Sequence, residues 1–165
     1  MTELDTALAD PRVGRAIELI WREAQILDAK EYPAWEELFT PDAIYVIPID
    51  QHTGDFEASL NMVYDDARMR RMRVERMMQG YAPSAVAAAR TVRTVSRFTV
   101  ESVSDTEVVL RSAQILCSYK RNNFALLGAE LTHTIALSAD GDKIAFKVVR
   151  LLNSDDPVSA SGFLP

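Results

Sequence analysis

The sequence predicts an α+β fold in which N-terminal helices pack on the concave face of a curved antiparallel sheet. Apolar side chains recur at helical spacing near the N-terminus, whereas from Arg90 onward apolar and polar side chains alternate with the period of a β-strand. Tight-turn residues separate these later segments, as is typical of antiparallel strands that follow one another along the chain. Helices followed by a run of strands indicate two packed layers.

Three helices are predicted. Residues 11–30 form an amphipathic helix, and residues 32–38 form a short second one that ends before a Thr-Pro pair. The third begins at Asp65 and Asp66, because carboxylates accept hydrogen bonds from the free N–H groups at a helix start, and it ends by Gly80.

Five strands are predicted, separated by loops or turns. The first is followed by residues 50–63, where we expect a loop with room for a short extended piece. It has Pro48 near a sheet edge, since proline lacks the N–H that a neighbouring strand needs. Turns are expected at Ser104-Asp105, Asn122-Asn123 and Asp140-Gly141, and the small-residue connector before Arg90 gives no clear prediction. The predicted strands cover residues 43–49, 90–103, 107–120, 127–137 and 144–152.

The length of 165 residues predicts a single domain, residues 1–165, with extended or flexible ends at 1–10 and 156–165. Hydrophobic residues make up 48% and charged residues 25%, as in an ordinary globular protein. The first residues lack the basic and apolar regions of a signal peptide, and no stretch reaches the roughly 18 apolar residues of a membrane span. We therefore expect a cytoplasmic protein without a membrane partner.

The charge is unevenly distributed along the chain. The net charge of −6 combines −11 in residues 1–66 with +7 in residues 67–121 and −2 in the remainder. Either the acidic helices pair with the basic centre inside the fold, or the surface has two opposite faces that suit assembly. Both interpretations favour protein partners over nucleic acid.

The cysteine and histidine content limits the metal chemistry of this chain. Cys117 is the single cysteine, which excludes an internal disulfide, a cysteine-pair zinc site and a Rieske cluster held by two Cys and two His. His52 and His133 would be enough in number for a two-histidine iron site, but one lies in a loop and the other in the middle of a strand. We expect both to be structural, and no metal site is predicted.

Several short motifs follow one another along residues 13–155. They are Tyr32, Trp35, Leu38-Phe39-Thr40, Asp42-Ala43, Tyr45, Pro48, Tyr64-Asp65-Asp66, Arg73-Val74, Arg76, Arg90-Thr91 and the segment 147–153. Their order and spacing resemble the small (β) subunit of aromatic-ring-hydroxylating dioxygenases. Arg97 departs from the pattern, because many members carry a small polar residue there, commonly Asn.

The resemblance implies an NTF2-like, cystatin-like cone that serves as a structural, non-catalytic small subunit in aromatic compound degradation. It implies a trimer of this chain beneath the large (α) subunits, in an α3β3 complex. It also implies that the large subunit carries both the Rieske [2Fe–2S] cluster and the mononuclear Fe(II), with no cofactor in this chain.

A cluster of charged side chains forms the predicted subunit interface. On a helical wheel the arginines of the third helix spread around most of its circumference, where they can pair with the acidic N-terminal helices or with a neighbouring subunit. An exposed basic helix without a specific partner is the competing interpretation. The predicted interface residues are Arg68, Arg70, Arg71, Arg73, Arg76, Asp65, Asp66 and Arg97.

A cavity enzyme is the alternative function. Cones of this type also host isomerases and dehydratases, so Tyr45, Tyr119 and His133 with Asp42 or Asp65 could transfer protons on an apolar substrate. This hypothesis rests on fold analogy alone, because no spacing in the sequence brings these groups together. A small-molecule binding module that uses the same cone is a third possibility.

Overall fold

The computed structural model describes residues 7–79, 89–154 and 164–165. Within them, helices pack on one face of a curved sheet, which confirms the predicted fold class. The predicted connector at residues 83–88 and most of the predicted flexible ends lie outside the described residues. The elements are α1 Pro11–Asp28, α2 Tyr32–Glu36, β1 Phe39–Pro48, β2 Asn61–Asp65, α3 Ala67–Gln79, β3 Arg90–Val103, β4 Glu107–Lys120, β5 Asn123–Ala136 and β6 Lys143–Leu151.

The sheet of the described chain has six strands in the order β2-β1-β6-β5-β4-β3. Neighbouring strands are antiparallel except β1 and β6, which are parallel. These two are far apart in sequence, so no short hairpin forces them to run in opposite directions. The sequence interpretation missed this parallel pair. For residues 50–63 it predicted a loop with a short extended piece, and the short edge strand β2 starts at the end of that segment.

Helix α1 is fixed by its cap and its apolar face. Asp10 accepts the backbone N–H of Arg12 at 2.9 Å, and proline occupies the first helical position, where its missing N–H costs nothing. Trp21 lies beside this apolar face, with its side chain half exposed. Its indole N–H donates to the carbonyl of Val95 at 2.9 Å, and its ring meets Phe98 edge to face, so it ties the helix to β3.

Three strand ends differ from the predictions for local backbone reasons. Strand β1 starts at Phe39 because a register shift before Ile44 accommodates the proline that would otherwise interrupt pairing. Pro48 lies at another register shift, opposite β2, and not at the sheet edge. Strand β5 starts at Asn123, since the preceding turn is formed by Arg121 and Asn122, both with positive φ.

The core lies between the helices and the concave face of the sheet. Its largest buried apolar side chains include Trp35, Tyr45 and Ile20, and the ring of Trp35 packs edge to face against Tyr45 at 5.5 Å. Leu164, near the predicted flexible C-terminal end, is also buried in this core. Its neighbour Phe163 lies outside the described residues.

Candidate functional site

A row of buried polar side chains crosses the concave face of the sheet. Asp65 of β2 is paired in register with Tyr45 of β1, Tyr45 with Lys147 of β6, and Lys147 with His133 of β5. Each of these four residues is at most 1% exposed. Because residues in register on neighbouring strands share one face, strand pairing alone assembles this row.

Glu23 of α1 completes the row from above. Its carboxylate contacts the Lys147 ammonium through Oε1, and its Oε2 lies 3.5 Å from Nε2 of His133. The Lys147 Nζ is also 5.4 Å from the centre of the Tyr45 ring. The helix places Glu23 here because it lies on the same buried stripe as Ile20 and Leu27.

The electrostatics favour a Glu23–Lys147 ion pair beside neutral partners. Burial raises the pKa of Glu23, but the Lys147 charge and the His133 hydrogen bond outweigh it and lower that pKa to about 2. Burial lowers the pKa of His133 despite Glu23, which keeps the imidazole neutral at pH 7. Burial and the Glu23 charge raise the pKa of Tyr45, so its hydroxyl keeps its proton.

These shifts suit a structural network better than acid–base catalysis. An effective general base or acid has a pKa near the working pH. Glu23 is far too acidic to accept a proton at pH 7, and the Tyr45 hydroxyl is too weak an acid to release one. The row therefore stabilises the interior by pairing its buried charges.

A second buried network joins β3 to the end of α1. Asp28 accepts the backbone N–H of Arg93 at 2.8 Å, the Arg93 guanidinium at 2.5 Å and the Thr91 hydroxyl at 2.9 Å. The same guanidinium also donates to the backbone carbonyl of Leu164. Next to it, the Tyr45 hydroxyl donates to the carbonyl of Pro165 at 3.2 Å.

The four residues of the alternative catalytic set are not brought together in one site. Tyr45 and His133 share the buried row, but Tyr119 belongs to the opposite face of the sheet, where its ring packs against Phe124 and its hydroxyl donates to Asn122. Asp42 is exposed at the start of β1 and accepts the hydroxyl of Thr40. Asp65 joins the row, but it is already paired with an arginine of α3.

The predicted interface arginines fall into two groups. Arg70 is 1% exposed and donates to Glu36 at 3.0 Å and to the carbonyl of Ala43, with its guanidinium 4.5 Å above the Phe39 ring. Arg73 binds Asp65, whose Oδ2 accepts at 2.6 Å. The interface interpretation is corrected for Arg70 and Asp65, because both are buried and paired within their own chain.

The remaining predicted interface residues stay on the surface. Arg68, Arg71 and Arg76 are exposed on α3. Asp66, also exposed, accepts the backbone N–H of Met69 at 2.9 Å and so caps that helix. These residues remain available to a partner subunit.

Arg97 lies at a β-bulge on the convex face of the sheet. Its φ of 55° falls in the left-handed region, where asparagine is the favoured residue after glycine. Its guanidinium donates to Glu130 at 2.6 Å, and Arg111 donates to the other oxygen of the same carboxylate at 3.2 Å. The two arginines lower the pKa of Glu130.

The two histidines lie on opposite faces of the sheet. His52 lines an open groove of about 710 Å³ on the convex side together with Arg111, Glu130 and Arg150, whereas His133 is buried beneath α1. Within residues 7–79, 89–154 and 164–165, no three His, Cys, Asp or Glu side chains are arranged to hold a metal ion. In the same ranges, no helix has the length and apolar character to cross a membrane.

Sequence reasoning missed four members of the buried networks, namely Glu23, Asp28, Arg93 and Lys147. The sequence nevertheless contained an indication of each one, because each is a charged residue at a position where the period of its helix or strand places the side chain inward. Lys147 lies between Ile144 and Val149 on a strand that is otherwise largely apolar. Such positions predict buried ion pairs, since an unpaired charge there is too costly.

Comparison with known proteins agrees with this architecture. The chain is 31% identical to the small oxygenase component of the p-cumate 2,3-dioxygenase system of Pseudomonas putida, over 64% of this chain and 60% of that protein. It is 25% identical to the beta subunit of benzoate 1,2-dioxygenase from Acinetobacter baylyi, over 90% of this chain and 91% of that one.

Solved structures share the fold. The beta subunit of benzoate 1,2-dioxygenase from Burkholderia mallei superposes with a TM-score of 0.75 at 24% identity, covering 99% of this chain and 100% of that one. An NTF2-like protein with a cystatin-like fold from Novosphingobium aromaticivorans superposes with a TM-score of 0.59 at 16% identity, covering 98% and 96%. Residues 22–155 match the family described as the ring hydroxylating beta subunit. The chain therefore belongs to the ring-hydroxylating beta subunit family.

Proposed function

We propose that this chain is the structural, non-catalytic small subunit of an aromatic-ring-hydroxylating dioxygenase, and that it supports assembly of iron-bearing large subunits. The observation that carries the proposal is the interior of the cone, where the Glu23–Lys147 ion pair lies beside Tyr45 and His133 in a core that is closed to solvent. A buried ion pair stabilises the scaffold, and a core closed to solvent gives a substrate no access to these side chains.

The residues of this chain do not fit the metal groups that the family implies. A Rieske cluster takes two cysteines and two histidines, and the sequence has one cysteine. A mononuclear iron site takes two histidines and a carboxylate on one side of the metal, whereas His52 and His133 lie on opposite faces of the sheet. We therefore propose that the large subunit holds both metal groups.

For the assembly we propose an α3β3 complex, in which this chain forms a trimer and contacts the large subunit. The exposed arginines Arg68, Arg71 and Arg76 of α3 supply donors for that contact, because their guanidinium groups face solvent without the internal pairing of Arg70. Arg97 and its Glu130 partner offer a second charged surface on the opposite face of the sheet. A cytoplasmic location goes with this role.

The cavity-enzyme alternative finds no specific support. Its four residues are split between the two faces of the sheet and the surface. Of the two that share the buried row, Tyr45 has a raised pKa that makes it a weak acid, and His133 has no access to solvent. The binding-module alternative would need open space inside the cone.

Reconstitution with the large subunit tests the proposal. We expect the isolated large subunit to contain all the iron and acid-labile sulfide, and ring hydroxylation to require this chain for assembly. The Tyr45→Phe and His133→Ala variants should alter thermal stability or assembly, while any complex that forms keeps its turnover number. Loss of turnover in a fully assembled, fully iron-loaded Tyr45→Phe complex would contradict the non-catalytic role.

A further inference from the structure

The convex face of the sheet carries large apolar side chains that the described part of the chain leaves uncovered. Buried and exposed residues alternate along β3 and β4, so one face of these strands packs inward and the other faces solvent. The solvent face of an antiparallel sheet is ordinarily polar. Here it carries five large hydrophobic residues, each more than half exposed, which we call the convex patch: Val92, Ile115, Phe124, Leu126 and Leu152.

Strand pairing gathers the convex patch into one continuous surface. Cys117 of β4 is in register with Val92 of β3 on one side and with Leu126 of β5 on the other. Ile115 lies two residues away on β4 and therefore on the same face. Leu152 reaches this face from the end of β6, where its side chain covers the backbone of β5. An apolar surface that spans three strands marks an interaction site, unlike apolar residues scattered singly.

A band of four charged side chains continues along the same face, and we call it the charged band. Arg97 and Arg111 both bind Glu130, at 2.6 and 3.2 Å, and Arg111 also lies 3.6 Å from Glu101. Two positive and two negative side chains leave the band without net charge, and each is already paired within the chain. Another protein surface can therefore cover the band without burying an unpaired charge.

This distribution of charge favours a second copy of the chain as the partner. Two copies of one surface can bind each other only if that surface is complementary to itself, and an apolar patch beside a band of balanced charge meets this condition. The exposed side of α3 does not, because three arginines there outnumber Glu75 and two such helices would repel each other. The arginines are Arg68, Arg71 and Arg76.

The size of the convex face suits a stable contact. Strands β3, β4 and β5 have 14 residues each, which corresponds to a length of about 48 Å at roughly 3.4 Å per residue. Three strands spaced about 4.8 Å apart are about 14 Å wide, so the face measures about 700 Å². A stable interface buries roughly 800 Å² on each partner.

We propose that copies of this chain bind one another through the convex patch and the charged band, which leaves α3 for the large subunit. The patch forms the dry centre of the contact and the band forms its polar rim. This inference rests on the proposed small-subunit role, in which the chain forms a trimer, and it names the surface that holds the copies together.

The test replaces two residues of the convex patch by glutamate in the isolated chain. Ile115→Glu and Leu126→Glu are combined, because both side chains are largely exposed and the fold does not depend on them. Leu60→Glu and Met78→Glu change exposed apolar residues outside the patch and serve as matched controls, the second of them on α3. Sedimentation velocity gives the mass of each chain over a wide concentration range, and circular dichroism checks that each one is folded.

We expect the natural chain and both controls to associate equally well. The double variant should have a dissociation constant at least about tenfold higher, because each copy would bury two carboxylates in the centre of the contact. A natural chain that stays monomeric at every concentration would overturn the proposal. So would a folded double variant whose dissociation constant is unchanged, or a Met78→Glu chain that dissociates as readily as the double variant.

A second measurement uses the natural sequence, in case the double variant does not fold. Cys117 is partly exposed within the convex patch, so a maleimide can report whether the patch is covered. Labelling should slow about tenfold when about nine-tenths of the copies are associated, because only the free copies react. A labelling rate that does not change while the chain associates would show that the copies meet elsewhere, and it would overturn the proposal.

These results separate the contact between copies from the small-subunit role. If the double variant dissociates as expected but no large subunit ever binds this chain, the small-subunit role fails and the contact stands. If a large subunit binds and hydroxylation requires this chain, but the double variant associates as tightly as the natural chain, the role stands and the contact fails. A dimer in place of a trimer through the same surface would keep the contact and contradict the α3β3 stoichiometry.

Discussion

Replacing Lys147 by methionine tests the buried ion pair that organises the concave face of the sheet. Methionine keeps most of the volume and removes the charge, so the Glu23 carboxylate is left buried with only the neutral His133 beside it. Both partners are almost fully inaccessible to solvent, and solvent screening cannot compensate for the loss.

The expected loss of stability follows from the pKa of Glu23. The fall from its usual 4.5 to about 2 corresponds to about 3 kcal/mol in favour of the folded state, at roughly 1.4 kcal/mol per pKa unit. Burial lowers the pKa of Lys147 even though the Glu23 charge opposes this. Burying the lysine therefore offsets part of the stabilisation that Glu23 provides. We therefore expect Lys147→Met to lower the free energy of unfolding by about 3 kcal/mol, the lower end of the range for breaking a buried pair.

Urea unfolding of a double-mutant cycle checks this value. Glu23→Leu combined with Lys147→Met removes both charges, and the double variant should recover most of the loss, because no unpaired charge remains. Lys143→Met, on the same strand but exposed, is the control and should cost no more than about 1 kcal/mol. A loss below about 1 kcal/mol for Lys147→Met, or a double variant as unstable as the two single losses together, would refute the reasoning.

Three further predictions test other parts of the fold. The lowered pKa of Glu23 means that its contribution is complete above about pH 4.5 and is lost as the pH falls towards 2, so acid unfolding of Glu23→Gln should lack this component in a pH series of urea melts. Asp66→Ala removes the cap of α3 and should cost about 1 kcal/mol, against no measurable change for the exposed Asp42→Ala. Arg73→Ala strands the buried Asp65 and should cost about 2 kcal/mol in thermal unfolding, and a lighter particle by light scattering would show that it also weakens assembly.

Local signals were sufficient to predict most of the fold. The alternation from Arg90 onward and the turn at Asp140-Gly141 located the long strands, because side-chain period and turn chemistry are set by neighbouring residues. The parallel contact between β1 and β6 was not predictable in the same way. It joins residues about 100 positions apart, such as Tyr45 and Lys147, and depends on the packing of the whole chain.

The buried networks were harder to predict than the strands for the same reason. The sequence pointed to His133 and Tyr45, because their side chains can exchange protons. Their neighbours Glu23 and Lys147 come from α1 and β6, and only the packing of α1 and the register of the sheet bring the four together. For the basic helix α3, the sequence could not show which arginines are paired. The sequence left open whether its arginines pair with carboxylates or stay exposed, and only the three-dimensional packing separates Arg70, paired internally, from its exposed neighbours.

The most direct test of the central claim is the mass and metal content of this protein purified gently from its native host through a tag on this chain. The account predicts a larger chain in equal amount, a native mass of three copies of each, and iron with acid-labile sulfide that stays with the larger chain after the subunits are separated. A metal-free particle containing this chain alone, recovered under conditions in which a known dioxygenase complex stays intact, would contradict it.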